Sequence, residues 1–159
     1  MKKTFSILLG AALAGIVSTP QAANIGSKAP QLQIEHWVKG KPVDLAKADD
    51  KKIHIIEFWA TWCGPCRDSI PHLTKLQEKY KGKGVTVIGI TDEPKATVER
   101  FVRRQKKQME YTVAIEKGDA MSQAYMRAFG QTGIPATFVV DQQDRIVWVG
   151  HPKSGLDDV

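Results

Sequence analysis

The apolar positions of this chain fall into short, sharply bounded runs whose spacing changes character along its length. Residues 53–59, Ile-His-Ile-Ile-Glu-Phe-Trp, are nearly continuously hydrophobic and rich in β-branched and aromatic side chains. That is the pattern of a strand buried on both faces. Residues 85–90 repeat it, and between the two runs Ile70, Leu73, Leu76 and Tyr80 recur at helical spacing over 66–80. Lys81-Gly82-Lys83-Gly84 supplies the helix stop. A strand–helix–strand order of this length predicts two parallel strands joined by a right-handed crossover. Glu57 is the one formal charge inside the first strand, and it stands out there.

Further along, Val98, Phe101, Val102 and Gln105/Met109 mark one face of a helix over 94–109, while Arg100, Arg103, Arg104, Lys106 and Lys107 fill the rest. A solvated face accounts for that basic run. A third strand over 111–115 and a helix over 119–129 come next. Thr132-Gly133-Ile134-Pro135 leads into a strand at 138–140, which the polar turn 142–144 joins to 146–149 as a hairpin. Near the start, 32–37 and 43–45 read as a weak hairpin. At the far end, Ser154-Gly155-Leu156-Asp157 has the spacing of a capping box that would open a helix, two residues before Val159. The whole predicts one α/β domain over 24–159, with no internal repeat and no low-complexity segment.

Residues 1–23 have a different organisation. Lys2 and Lys3 precede an apolar run from Phe5 to Val17, and Ser18 to Ala23 is polar and small. This is the order of a secretory signal peptide, and the run is too short for a spanning helix of about 20 residues. A cut after Ala22 or Ala23 places Pro20 or Gln21 where a small residue is preferred, which leaves a tethered form open. The short signal points to a bacterial periplasm. Formal charge is +6, falling to +4 without Lys2 and Lys3, an excess that favours no particular partner and gives no sign of nucleic-acid binding.

Export changes how the only two cysteines are read, because a pair can cycle between dithiol and disulfide in an oxidising compartment. Cys63 and Cys66, with Gly64-Pro65 between them, fall where the first strand gives way to its helix, at the carboxyl end of the strand. At a helix start the two lie on nearly one side, and the helix dipole with its unpaired amides favours a thiolate at Cys63. Cys63 is then the attacking nucleophile, and Cys66, one turn further in, resolves the mixed disulfide. Pro65 pre-sets the first helical turn, and Trp62 places an apolar wall beside the nucleophile.

Other readings meet obstacles. A zinc site needs two further ligands, and His36, His54, His72 and His151 form no ligand-spaced cluster. A static disulfide closing so short a loop gains little. A peroxidatic cysteine leaves the second cysteine unexplained. A redox-inert module holding a metal through two sulfurs, in the manner of a metallochaperone, stays open.

The run Phe58-Trp59-Ala60-Thr61-Trp62-Cys63-Gly64-Pro65-Cys66-Arg67, Pro71 in the helix, and Gly133-Ile134-Pro135 before a strand resemble the thioredoxin superfamily from about Ala29 onward. The segment between Ile90 and Gly133, with the exported start, is similar to its TlpA/ResA-like periplasmic branch. The resemblance implies a thioredoxin fold: a central mixed sheet flanked by helices, with a strand–helix insertion. It implies a cis Pro135 facing the disulfide and an Ile134 backbone that pairs with the substrate peptide. It also aligns Glu57 with the buried acid that moves protons to and from the resolving cysteine, while the lysine partner of that acid is replaced by an apolar residue around Ile88.

Residues and resemblance together predict an exported thiol–disulfide oxidoreductase, monomeric, with no cofactor and no metal. It would act on exported proteins with cysteine pairs and be re-reduced by a membrane thiol–disulfide electron donor. A disulfide oxidase or isomerase is the alternative, since compartment poise rather than the motif sets direction. Two departures from the branch are visible: Ser69 stands where a glutamate is frequent, and the final helix is cut off at its first turn, which predicts exposed apolar sheet surface.

Overall fold

The computed structural model describes residues 23–46 and 52–159. The segment read as a signal peptide therefore lies, apart from Ala23, outside the described residues. Among the described residues no helix is long and apolar enough to cross a membrane.

Strands β2 (Ile53–Phe58) and β3 (Val85–Thr91) pair in parallel from Ile53↔Val85 to Phe58↔Ile90, with α1 (Gly64–Lys79) between them in the chain. Helix α2 (Lys95–Gln105) connects β3 to β4 (Thr112–Glu116), again in parallel. Strand β5 (Ala136–Val140) then runs antiparallel to β2, and β6 (Ile146–Gly150) antiparallel to β5. With β1 (Ile34–Lys39) on the outside, the six-stranded mixed sheet has the order β1-β4-β3-β2-β5-β6. Both faces are covered, which is why β2, β4 and β5 read as continuous apolar runs.

Alternation along the strands sorts the core into two layers. Ile55, Trp59, Val87, Val113 and Val139 pack with Cys66, Ile70, Leu73 and Leu76 of α1 and Val98 of α2. On the other face Ile56, Phe58, Ile88, Ile90 and Phe138 pack with Ala29, Leu45, Met121 and Tyr125. Phe58, Tyr125 and Phe129 each meet Phe138 edge-on, with ring centroids 5.7, 5.3 and 5.5 Å away. The Tyr125 hydroxyl donates to the Pro30 carbonyl at 2.6 Å and ties the N-terminal segment to this layer.

Four elements differ from the sequence expectation. Residues 32–45 form no hairpin: β1 pairs antiparallel with β4, Trp37 opposite Ala114, and 41–46 is not a strand. The edge of β4 offers β1 a ladder, broken by register shifts between Ile34 and His36 and between Trp37 and Lys39, whereas 43–45 instead sends Leu45 into the core. Helix α2 stops at Gln105, where Lys106 takes a φ of 51° and a three-residue 3-10 turn follows. The 119–129 helix is wound with π-type spacing over Ser122–Arg127, the Ala128 amide donating to the Gln123 carbonyl at 3.3 Å. The wider turn lets the consecutive residues Tyr125 and Met126 both reach the sheet.

At the end of the chain the capping box does not form. Gly155, the first helical residue after a Ser154 cap, instead adopts a left-handed φ of 83° that a right-handed helix does not admit, and a single 3-10 turn, Leu156–Asp158, follows. Leu156 is buried in the layer beneath α1, with Ile55, Leu76 and Val139. The expected bare sheet surface is therefore largely covered: among the described residues the large exposed hydrophobic side chains are Ile25, Trp62, Val147 and Val159.

Candidate active site

Beyond Phe58 the chain leaves the sheet through Trp59, whose amide still donates to the Ile90 carbonyl at 3.0 Å, and turns at Thr61-Trp62 into α1. Cys63 is the N-cap, with extended φ and ψ of −77° and 108°, and its Sγ accepts the Cys66 amide at 3.2 Å. Gly64 and Pro65 occupy the first helical turn, where a missing amide hydrogen is harmless. The helix thus points its positive end and a backbone donor at the Cys63 sulfur, the arrangement that stabilises a thiolate.

Cys63 and Cys66 are joined in a disulfide with S–S 2.06 Å and Cα–Cα 5.2 Å. Cys66 has no exposed surface and Cys63 retains 5%. Only the first cysteine offers an edge to a partner. The Ile134–Pro135 peptide is cis, and the Ile134 carbonyl oxygen lies 3.7 Å from the Cys63 Sγ. Trp62 is 72% exposed and, with Met126, Gln131 and Ile134, borders a groove of about 510 Å3 running away from the disulfide. Cys63, Cys66, Trp62, Gly64, Pro65, Ile134 and Pro135 are therefore gathered at one end of the sheet. Among the described residues, no group of three or more His, Cys, Asp or Glu side chains is placed to hold a metal ion.

Glu57 lies deeper. It has no exposed surface, shares its side of β2 with Ile55 and Trp59, and sits between Gly89 of β3 and Thr137 of β5. Burial pushes its carboxyl well above the usual carboxylate range. The neighbour across from Glu57 is Gly89, not Ile88, which one residue earlier points into the opposite layer.

Two acids escaped the sequence reading. Glu93, just after β3, accepts the Thr61 amide at 2.6 Å on one oxygen and the Thr61 hydroxyl at 2.7 Å on the other. It clamps the turn that delivers Cys63. Glu116, buried at the end of β4, accepts the Met121 and Ser122 amides at 2.8 and 2.9 Å and the Ser122 hydroxyl at 2.6 Å. No spacing rule announces either contact, because each joins segments that only the sheet brings together.

A mixed sheet of this order, with a dithiol pair at the mouth of α1 and a cis proline beside it, defines a thioredoxin-fold thiol–disulfide oxidoreductase. The Redoxin family matches residues 24–158. The thiol-disulfide oxidoreductase ResA of Bacillus cereus is 31% identical over 134 residues, covering 84% of this chain and 73% of the relative. That of Halalkalibacterium halodurans is 32% identical over 128 residues, covering 80% and 68%. Among solved structures, a thioredoxin-family thiol:disulfide interchange protein from Chlorobium tepidum superposes with a TM-score of 0.62 at 29% identity, covering 81% of this chain and 88% of that one. The chain belongs to the Redoxin family, as a TlpA/ResA-like member of the thioredoxin superfamily.

Proposed function

We propose that this protein works outside the cytoplasm as a reductase of disulfides in exported proteins. The observation that carries the reading is the asymmetry of the pair: the Cys63 sulfur accepts the Cys66 amide at the accessible edge, while Cys66 is sealed on the inward face of α1. The Cys63 thiolate attacks a substrate disulfide, whose S–S bond breaks as one substrate sulfur leaves as a thiolate. The Cys66 thiol gives its proton to the Glu57 carboxylate, directly or through water, and attacks the Cys63 sulfur. The second substrate sulfur then departs, so the substrate gains two electrons and the Cys63–Cys66 pair is oxidised.

Trp62, Gly64, Pro65 and Ile134 with Pro135 would hold the substrate strand, the Ile134 backbone pairing with it. A membrane-bound dithiol donor returns the electrons. Residues 1–23 have the charge and apolar pattern that export requires, and the ResA relatives support the same chemistry.

The reduction potential of the pair tests direction: a value near or below that of thioredoxin, about −270 mV, supports the reductase, and one near DsbA, about −120 mV, supports a disulfide oxidase. Cys66→Ser should trap mixed disulfides with exported proteins in cell extracts. No adducts, together with a Cys63 thiol that titrates unperturbed at about pH 8.5, would sink the catalytic reading.

A further inference from the structure

The interior beneath α1 holds more polar chemistry than Glu57 alone. Register puts Glu57 beside Gly89 on one neighbouring strand and Thr137 on the other, and Trp59 comes after it on the same face of the sheet. Gly89 leaves a space there. A β-carbon at Gly89 would stand 3.0 Å from Trp59 Nε1 and 3.1 Å from Tyr111 Cε2, so both rings close over this point of β3. Tyr111, immediately before β4, thereby reaches across β3 toward the carboxyl.

Four residues thus converge, and the Glu57 oxygens, Trp59 Nε1, Tyr111 Oη and Thr137 Oγ1 are all buried without a hydrogen-bond partner. Native interiors leave few such groups, and packing alone gives no reason to gather them around one carboxyl. The other groups facing Glu57 narrow the choice. α1 presents Cys66 and α2 presents Val98 and Phe101, while the charged side chains of both helices lie outside this layer. Among the described residues the other titratable groups of this layer are then Cys63, Cys66, Tyr80 and Tyr111; Tyr80 stands at the far end of α1 beside Ile53 and Val85, and Tyr111 is the one whose ring closes over Gly89. Trp59 can only donate, and its ring is held against Phe101 at 5.4 Å. A phenol can accept from a carboxylic acid and donate to a carboxylate, so its chemistry suits Glu57 in both protonation states. Burial first, and the neighbouring Glu57 charge second, hold the Tyr111 hydroxyl protonated well past the ordinary tyrosine range, so it remains a donor wherever the dithiol works.

We propose that Tyr111 is a positioning residue for Glu57: its hydroxyl turns to donate to the carboxylate when Glu57 ionises, and so sets how readily Glu57 takes the proton from Cys66. The inference rests on the reading of Glu57 as the acid–base group for Cys66. Hydrogen bonds to a charged acceptor are the stronger kind, so the contact favours the ionised form over the acid.

The test is the carboxyl titration of Glu57, followed by carbon-13 NMR in the oxidised full chain, in the parent and in Tyr111→Phe. Loss of the donor should raise the proton affinity of Glu57 about tenfold, moving its midpoint up by about one pH unit. In the reduced protein, the pH profile of mixed-disulfide resolution should shift in the same direction, and Tyr111→Phe should have no effect on it in a Glu57→Gln background. A midpoint that stays put or falls overturns the proposal. Should Tyr111→Phe not fold, 3-fluorotyrosine at position 111, a stronger donor, should lower the midpoint, and an unmoved midpoint again overturns it. The two readings fail separately: unchanged resolution in Glu57→Gln removes Glu57 from the mechanism, whereas the NMR titration reports the Tyr111 contact regardless.

Discussion

Both oxygens of the Glu93 carboxylate are spent on Thr61, one on its amide at 2.6 Å and one on its hydroxyl at 2.7 Å, two residues ahead of Cys63. The clamp holds the turn, and its negative charge also opposes a thiolate nearby. The two effects separate by substitution. Glu93→Gln keeps an acceptor for the amide and offers a donor to the hydroxyl, so stability should change little. Without the charge, the Cys63 thiol should ionise at lower pH and the pair should become more oxidising, read by alkylation rate against pH and by redox titration. Glu93→Ala also orphans the Thr61 amide and should lower stability by about 1–3 kcal/mol in urea unfolding. An unchanged thiol pKa in Glu93→Gln would confine Glu93 to a structural role.

The raised carboxyl of Glu57 has a sign in stability as well. In the unfolded chain it titrates at about pH 4.5, and in the folded protein burial holds its proton to higher pH. Over that interval the native state binds one proton more than the unfolded state, so stability falls as pH rises, by at most about 1.4 kcal/mol per pH unit. The contribution is fully present below the unfolded value and gone above the folded one. Urea unfolding of the oxidised protein should show Glu57→Gln gaining on the parent from about pH 4.5 upward, with the gap levelling once Glu57 ionises in the native state. Parallel curves would mean that Glu57 titrates normally.

What the sequence made legible was local. The β2–α1–β3 unit, the cysteine pair and the odd charge at Glu57 each show in a window of about one element, where periodicity and helix-start chemistry apply. What it hid depends on register and on contacts distant in the chain. Gly89 rather than Ile88 faces Glu57 because β2 and β3 pair one to one, which no pattern of apolar residues specifies. β1 looks like half of a hairpin because its partner β4 begins more than 70 residues later. Glu93, in Asp92-Glu93-Pro94, looks like ordinary loop polarity until Thr61 is folded onto it. The π-type turn at Ser122–Arg127 has the same apolar spacing as an α-helix, and packing against the sheet decides between them.

Leu156 reports on the end of the chain independently of the redox site. It is buried from the 3-10 turn into the layer under α1, at the end of the sheet away from Cys63. Leu156→Ala should cost about 2 kcal/mol, toward the low end for a buried leucine because a terminal turn can settle into the space. The urea midpoint should fall while the reduction potential stays fixed. A shifted potential would mean that this end of the sheet communicates with the disulfide through α1.

Glu116 joins the inner edge of the sheet to the groove beside Trp62. Its carboxylate satisfies two amides and one hydroxyl at the start of the 120–131 segment, which supplies Met126 and Gln131 to that groove. Glu116→Gln can still accept the amides and donate to the Ser122 hydroxyl, so its loss of stability should be below about 1 kcal/mol. Glu116→Ala leaves all three donors without their acceptor and should cost about 2 kcal/mol, loosening the segment at its root. The dithiol itself is untouched by either change. With a peptide disulfide long enough to occupy the groove, Glu116→Ala should raise KM several-fold with kcat nearly constant. With a small disulfide that never reaches the groove, both constants should match the parent. Equal losses with both substrates would show that the segment supports the active-site turn rather than the substrate.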